Sequence, residues 1–217
     1  MIRNVAEHAN PPKVARPEVN TWTAVQVRRF LAHVEDSRWY PMWLLYFTTG
    51  MRRGEVLGLR WDDVDLDAGK VAIRHVLTRV DGKTISTEPK TSKGRRTIAL
   101  DAASVAALRG WRQRQLEERL AAGPAWQNTD LVFTWPDGSF VGPNLPTKWI
   151  RELADDIGLP RIRLHDARHS FATLALESGV DVKIVSERLG HANTAITRDV
   201  YQHVTPAMDQ AAADTVA

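Results

Sequence analysis

The segment Leu164-His165-Asp166-Ala167-Arg168-His169-Ser170 leads a helical pattern that runs from about His165 to Glu177. On a helix, positions i and i+3 lie on one face, so the His165 imidazole and the Arg168 guanidinium can converge on a single oxyanion. Taken by itself, such a pair is more often a surface pair than a site. What surrounds it is therefore decisive.

Downstream, Val182 to Leu189 has helical spacing and leads into Leu189-Gly190-His191 and then Tyr201. Upstream, Leu145 to Ile157 is a further helical pattern, and Gly158, Gly179 and Gly190 stand where helices end. Pro136-Asp137-Gly138 marks a turn, and Asp101 can cap a long helix from Ala102 to Leu120 that stops near Gly123-Pro124. Before it the texture is β-branched: Val71, Ile73, Val76, Leu77 and Val80, then Asp81-Gly82, a strong hairpin signal. A small antiparallel sheet is expected to run on through Thr84 to Glu88 and Arg96 to Leu100. Trp39 to Thr48 is nearly all apolar and predicts a buried helix, followed by the turn at Gly50 and a short helix over Arg53 to Leu59. Thr23 and Gln26 form a capping box ahead of the helically spaced Val25, Val27, Phe30, Leu31 and Val34. Residues 1–20, with Asn10, Pro11, Pro12 and Pro17, read as an extended linker. The fold class expected is α+β, mainly α-helical with one small antiparallel sheet.

The 217 residues carry 29 Lys+Arg against 26 Asp+Glu, a net charge of only +3, and a hydrophobic share of 43% that fits a globular domain rather than a disordered chain. With no cysteine, a disulfide scaffold, thiolate metal sites and cysteine nucleophiles are excluded. The apolar run Met42 to Phe47 is far shorter than the roughly 20 residues that span a bilayer, and no charged-then-apolar leader opens the chain, so a cytoplasmic location without membrane contact is expected. Of the bases, 22 are Arg and 7 are Lys, and Arg suits bidentate contact with phosphate. Residues 52–100 hold 11 bases and 7 acids, and from Lys83 to Arg96 five bases face Glu88 alone. A ribbon carrying Lys83, Lys93, Arg95 and Arg96 beside a helical core can track a phosphate backbone; it can equally be a solvated hairpin edge whose lysines discourage aggregation.

Five separated motifs occur in one order: GMRRGE at 50–55, PKTSKGRR at 89–96, HDARH at 165–169, LGH at 189–191, and Tyr201 ten residues after His191. From about Thr23 to about Val204 this pattern resembles the tyrosine recombinase (phage integrase) family. The resemblance implies the DNA breaking-rejoining enzyme fold, with a catalytic domain over 21–204 and a tail over 205–217 that can pack on a neighbouring protomer. It implies Arg52 as the first catalytic arginine with Glu55 as its supporting acid, Lys90 as the hairpin lysine, His165 and Arg168 as the helical pair, His191 as the second histidine and Tyr201 as the nucleophile. Lys93 is the alternative to Lys90. The additional N-terminal DNA-binding domain usual in the family does not fit before Thr23, so the chain resembles an isolated catalytic domain.

The implied chemistry explains the residue types. A tyrosine hydroxyl, with an ordinary pKa of about 10, needs a base to attack phosphorus. Two guanidinium groups can neutralise the charge that builds on the non-bridging oxygens. The resemblance further implies double-stranded DNA as partner, a 3′-phosphotyrosyl intermediate that conserves the bond energy, and hence no cofactor, metal or ATP. It implies a homotetramer on DNA, a monomer when free, accessory directionality or DNA-bending proteins, and a bacterial or phage-encoded protein of the nucleoid. Two rivals remain open from the residues alone: a metal-dependent phosphohydrolase using His165, Asp166, His169 and His191, and a DNA-binding relative that has lost catalysis.

Overall fold

Thr23 caps the first helix in the way its spacing to Gln26 predicts: its hydroxyl accepts from the Gln26 N–H at 3.3 Å, and the Gln26 side chain accepts from the Thr23 N–H at 2.8 Å. In the computed structural model, which describes residues 20–89, 91–191, 193–195 and 197, helix α1 spans Ala24–His33 and buries Val27 and Phe30. Helix α2, Tyr40–Thr49, has no polar face: Met42, Trp43, Leu44, Leu45, Tyr46 and Phe47 are all buried. Such a helix must lie inside the molecule, and α2 packs against α1, α4 (Ala102–Ala122) and α6 (Leu164–Glu177). It ends at Gly50 with φ +65°, and a side chain there would also meet the Phe171 ring at 2.5 Å, so only glycine turns this corner. Helix α3, Arg53–Leu57, starts at once beyond it.

Strands β1 (Val64–Asp65), β2 (Lys70–Ile73), β3 (Val76–Val80), β4 (Lys83–Thr87) and β5 (Arg96–Ala99) follow. Asp81 and Gly82 both have positive φ, +48° and +77°, the backbone that a two-residue hairpin loop needs between β3 and β4. The expected single sheet is in fact two. β5 does not extend the hairpin but pairs antiparallel with β2, giving the order β1-β2-β5, with Val71 opposite Ile98. Burial explains the choice: Val71, Ile73 and Ile98 are 0%, 2% and 1% exposed, so β2 offers β5 an apolar face, while β4 is exposed almost throughout.

Asp101 caps α4, accepting from the Ser104 N–H at 2.9 Å. Helix α5 covers Leu145–Asp156 and α7 covers Val182–Leu189. Two aromatic clusters lock the layers. Trp22, Phe30, Trp43 and Phe47 join α1 to α2, and Trp39, Trp111, Trp135 and Trp149 join α2, α4 and α5, with the Arg38 guanidinium 4.7 Å from the Trp111 ring. Burying a fully enclosed ring such as Trp22, Phe30 or Trp43 contributes about 2 kcal/mol or more. Three parts of the chain meet: the Gly50 turn, the first turns of α6, and the end of α7 at Gly190, where φ is +67°, with Arg168 bonded to the Gly50 and Leu189 carbonyls. Residues 1–19 and 198–217, and with them most of the expected linker and all of the tail, lie outside the described residues.

Candidate active site

Arg52 stands at the N-terminus of α3 and Arg163 at that of α6, each three residues ahead of a buried carboxylate. Glu55 accepts the Arg52 backbone N–H at 2.8 Å and Asp166 that of Arg163 at 2.7 Å, so an acid at the third helical position closes both helix ends. These acids also hold the arginine side chains, with Arg52 Nη1 2.7 Å from Glu55 and Arg163 Nη2 3.0 Å from Asp166.

Arg168 is 3% exposed. Its Nη1 donates to the Gly50 carbonyl at 2.8 Å and its Nη2 to the Leu189 carbonyl at 2.7 Å. Those are carbonyls at the C-terminal ends of α2 and α7, where a buried cation is favoured. Arg52 is tied to the same corner, its Nη2 donating to the Gly190 carbonyl at 3.2 Å. His191 follows directly, with Nδ1 2.8 Å from the Thr197 hydroxyl. The structure thus gathers Arg52, Glu55, His165, Arg168 and His191 from three separated motifs.

Arg52, His165 and Arg168 line one cleft of about 450 Å³, together with Arg53, Arg151 and Arg163 and, among the described residues, no carboxylate. The residue pattern had not marked Arg151 or Arg163; two positions before His165, Arg163 could have been read as the start of the same helix. The field of the cleft appears in the histidines. Partial burial, then the charge of Arg168, holds His165 below its ordinary value. Burial, then Arg168 and Arg52, pushes His191 down to about 4, and burial followed by His165 does the same to His169. All three rings are therefore neutral at neutral pH. A neutral imidazole can accept a proton at one nitrogen and donate at the other. Converging guanidinium groups, the His165 ring and a carboxylate-free wall make this cleft a place for an anion.

The basic ribbon requires one correction. Lys83, Lys93 and Arg95 are exposed, Arg95 paired with Glu88. Arg96, expected beside them on the DNA-facing surface, is only 8% exposed and points inward, its Nη1 and Nη2 donating to the Glu55 oxygens at 3.0 and 2.9 Å. The period-two alternation of β5 puts Arg96 on the same face as the buried Ile98, and that was the available signal. Lys90 and Tyr201 lie outside the described residues. The metal-ligand arrangement that the histidine spacing allows is not formed: Asp166 is engaged by Arg163 and its own helix end, the His165 and His169 rings meet edge to face at 4.8 Å, and no group of three such ligands converges among the described residues.

The model of the phage integrase family matches residues 20–208. A tyrosine recombinase XerC-like protein of Caldanaerobacter subterraneus subsp. tengcongensis is 31% identical over 218 residues, covering 95% of this chain and 56% of that protein. The ICEBs1 integrase of Bacillus subtilis is 27% identical over 214 residues, covering 98% and 58% respectively. The chain thus spans little more than half the length of these relatives. Among solved structures, the Tn1549 transposon integrase in complex with circular intermediate DNA matches with a TM-score of 0.78 at 21% identity over 93% of this chain and 68% of that one. The XerH recombinase bound to palindromic difH matches at 0.62 and 26% identity, over 90% and 52%. No helix among the described residues is long and apolar enough to cross a membrane.

Proposed function

Because the chain belongs to the phage integrase family, we propose that it is the catalytic portion of a site-specific DNA recombinase that cleaves and rejoins DNA strands through a 3′-phosphotyrosyl link to Tyr201. The observation that carries this reading is the tie of both Arg52 and Arg168 to the Leu189–Gly190 corner, beside His165 and His191. In the reaction the Tyr201 oxygen attacks the scissile phosphorus while neutral His165 accepts or relays its proton. Arg52 and Arg168 stabilise the charge on the non-bridging oxygens, and neutral His191 donates a hydrogen bond to one of them. Lys90 protonates the departing 5′ oxygen. Rejoining reverses the steps with another strand's 5′ hydroxyl, and the phosphotyrosyl bond conserves the energy needed.

In this reading 21–204 is the catalytic unit, 1–20 a linker and 205–217 a segment exchanged between neighbouring protomers. The partner is double-stranded DNA, on which four copies assemble, with accessory DNA-bending proteins acting in the complete reaction. The test is a nicked suicide DNA substrate incubated with a chelator present. A covalent protein–DNA adduct is expected from the native chain, and DNA binding without adduct from Tyr201→Phe. Identical behaviour of the two proteins would refute strand transfer and favour a DNA-binding relative without catalysis.

A further inference from the structure

Glu55 is 2% exposed and serves two arginines at once. Arg96 takes both of its oxygens, at 3.0 and 2.9 Å, whereas the Arg52 side chain reaches it through Nη1 alone, at 2.7 Å. A buried carboxylate left with one arginine favours the two-nitrogen, fork-to-fork pair. Such a pair would draw both terminal nitrogens of Arg52 onto Glu55 and away from the cleft. Occupation of Glu55 by Arg96 prevents this. It also leaves the trio with a net positive charge facing the place where negative charge develops.

Arg96 further ties together the parts of the site that come from distant sequence. Its Nε donates to the Arg188 carbonyl at the end of α7, and its Nη1 also donates to the Gly94 carbonyl, at 3.2 Å, next to Lys93. The packing around Gly190 is tight: a side chain there would meet Arg96 Nη1 at 3.0 Å and the Lys93 carbonyl at 2.8 Å. The Lys93 segment, the His191 corner and the Arg52 helix therefore share one buried guanidinium.

We propose that Arg96 is a positioning residue for strand cleavage: by occupying both oxygens of Glu55 it limits Arg52 to a single side-chain bond with that carboxylate and leaves Arg52 Nη2, held by the Gly190 carbonyl at 3.2 Å, with its second hydrogen for the scissile phosphate. The proposal rests on the strand-transfer reading above, and it assigns no DNA contact to Arg96.

The test is single-turnover adduct formation on the suicide substrate, with DNA affinity measured in parallel, for the native chain, Arg96→Gln, Arg96→Lys and the double variant Arg96→Gln with Glu55→Gln. Arg96→Gln is expected to slow cleavage by about tenfold to a hundredfold, the scale on which displacement of a catalytic group acts, with DNA affinity and its salt dependence unchanged. Arg96→Lys, which keeps the charge but loses the fork, should fall between that variant and the native chain and guards against simple misfolding. The double variant should cleave faster than Arg96→Gln, because Glu55 no longer captures Arg52. A double variant equal to or slower than Arg96→Gln, or a loss of DNA affinity matching the loss of rate, overturns the proposal. A crystal structure of Arg96→Gln decides the same point without DNA: Arg52 closed onto Glu55 through two nitrogens is expected, and an unmoved Arg52 refutes it. A native chain that forms no adduct would instead sink the strand-transfer reading, with the crystal structure still deciding the role of Arg96.

Discussion

The buried arginines and the exposed basic hairpin draw on the same residue types and do opposite things with them. Arg168 and Arg96, at 3% and 8% exposure, are fixed by carbonyls and by Glu55. Lys83 and Arg95 stand in solvent, and Arg95 is answered by Glu88. A buried cation with every bond defined sets geometry; an exposed one adds a screened, sequence-blind attraction. Clustering of bases along a sequence does not distinguish the two. Their place relative to the core does.

Removing the buried acid should sharpen this contrast most. Glu55→Ala leaves Arg96 buried without its counterion, and a loss of about 3 to 5 kcal/mol is expected, measured as a lower urea midpoint. Arg168→Ala should slow cleavage about a hundredfold to a thousandfold and cost about 1 to 3 kcal/mol for each carbonyl left without a donor. Equal rates for Arg168→Ala and the native chain on the suicide substrate would break the distinction between the regions.

Acid should separate the regions next. Burial pushes the Glu55 carboxyl up, but its bonds to Arg96 and Arg52 outweigh that and hold it below the carboxylate range. Its stabilisation is thus present above the unfolded value and is lost as pH falls through the folded one. His169 and His191 act in the same direction: each sits near 4 in the fold against 6.5 when free, so the unfolded chain binds more protons between those values and stability declines as pH falls through that window. Urea midpoints followed across it should fall less steeply in His169→Gln than in the native chain; a parallel decline would contradict the assignment. The smallest effect belongs to the ribbon. Lys83→Ala should reduce the slope of log affinity against log salt by about one and leave the adduct rate at saturating DNA intact.

Local signals carried much of the fold. The Thr23 box, the Asp101 cap, the Asp81-Gly82 turn and the glycines closing α6 and α7 depend on neighbours a few residues away, and each forms where the sequence places it. The departure of β5 from the hairpin to β2 was not legible, because the competition between apolar faces that decides it is settled across the chain. The inward turn of Arg96 follows from that pairing. In the site, the motif order pointed to Arg52, His165, Arg168 and His191, and α2, α6 and α7 bring them to one corner. Arg151 joins the cleft only because α5 packs beside α6, which no spacing in the sequence expresses.

The most direct measurement is proteolysis of the trapped protein–DNA adduct followed by mass spectrometry of the modified peptide. A single peptide carrying the DNA 3′ end on Tyr201, formed with chelator present and absent from Tyr201→Phe, is the expected result. Attachment at any other residue, or cleavage that leaves no covalent link, would contradict the account.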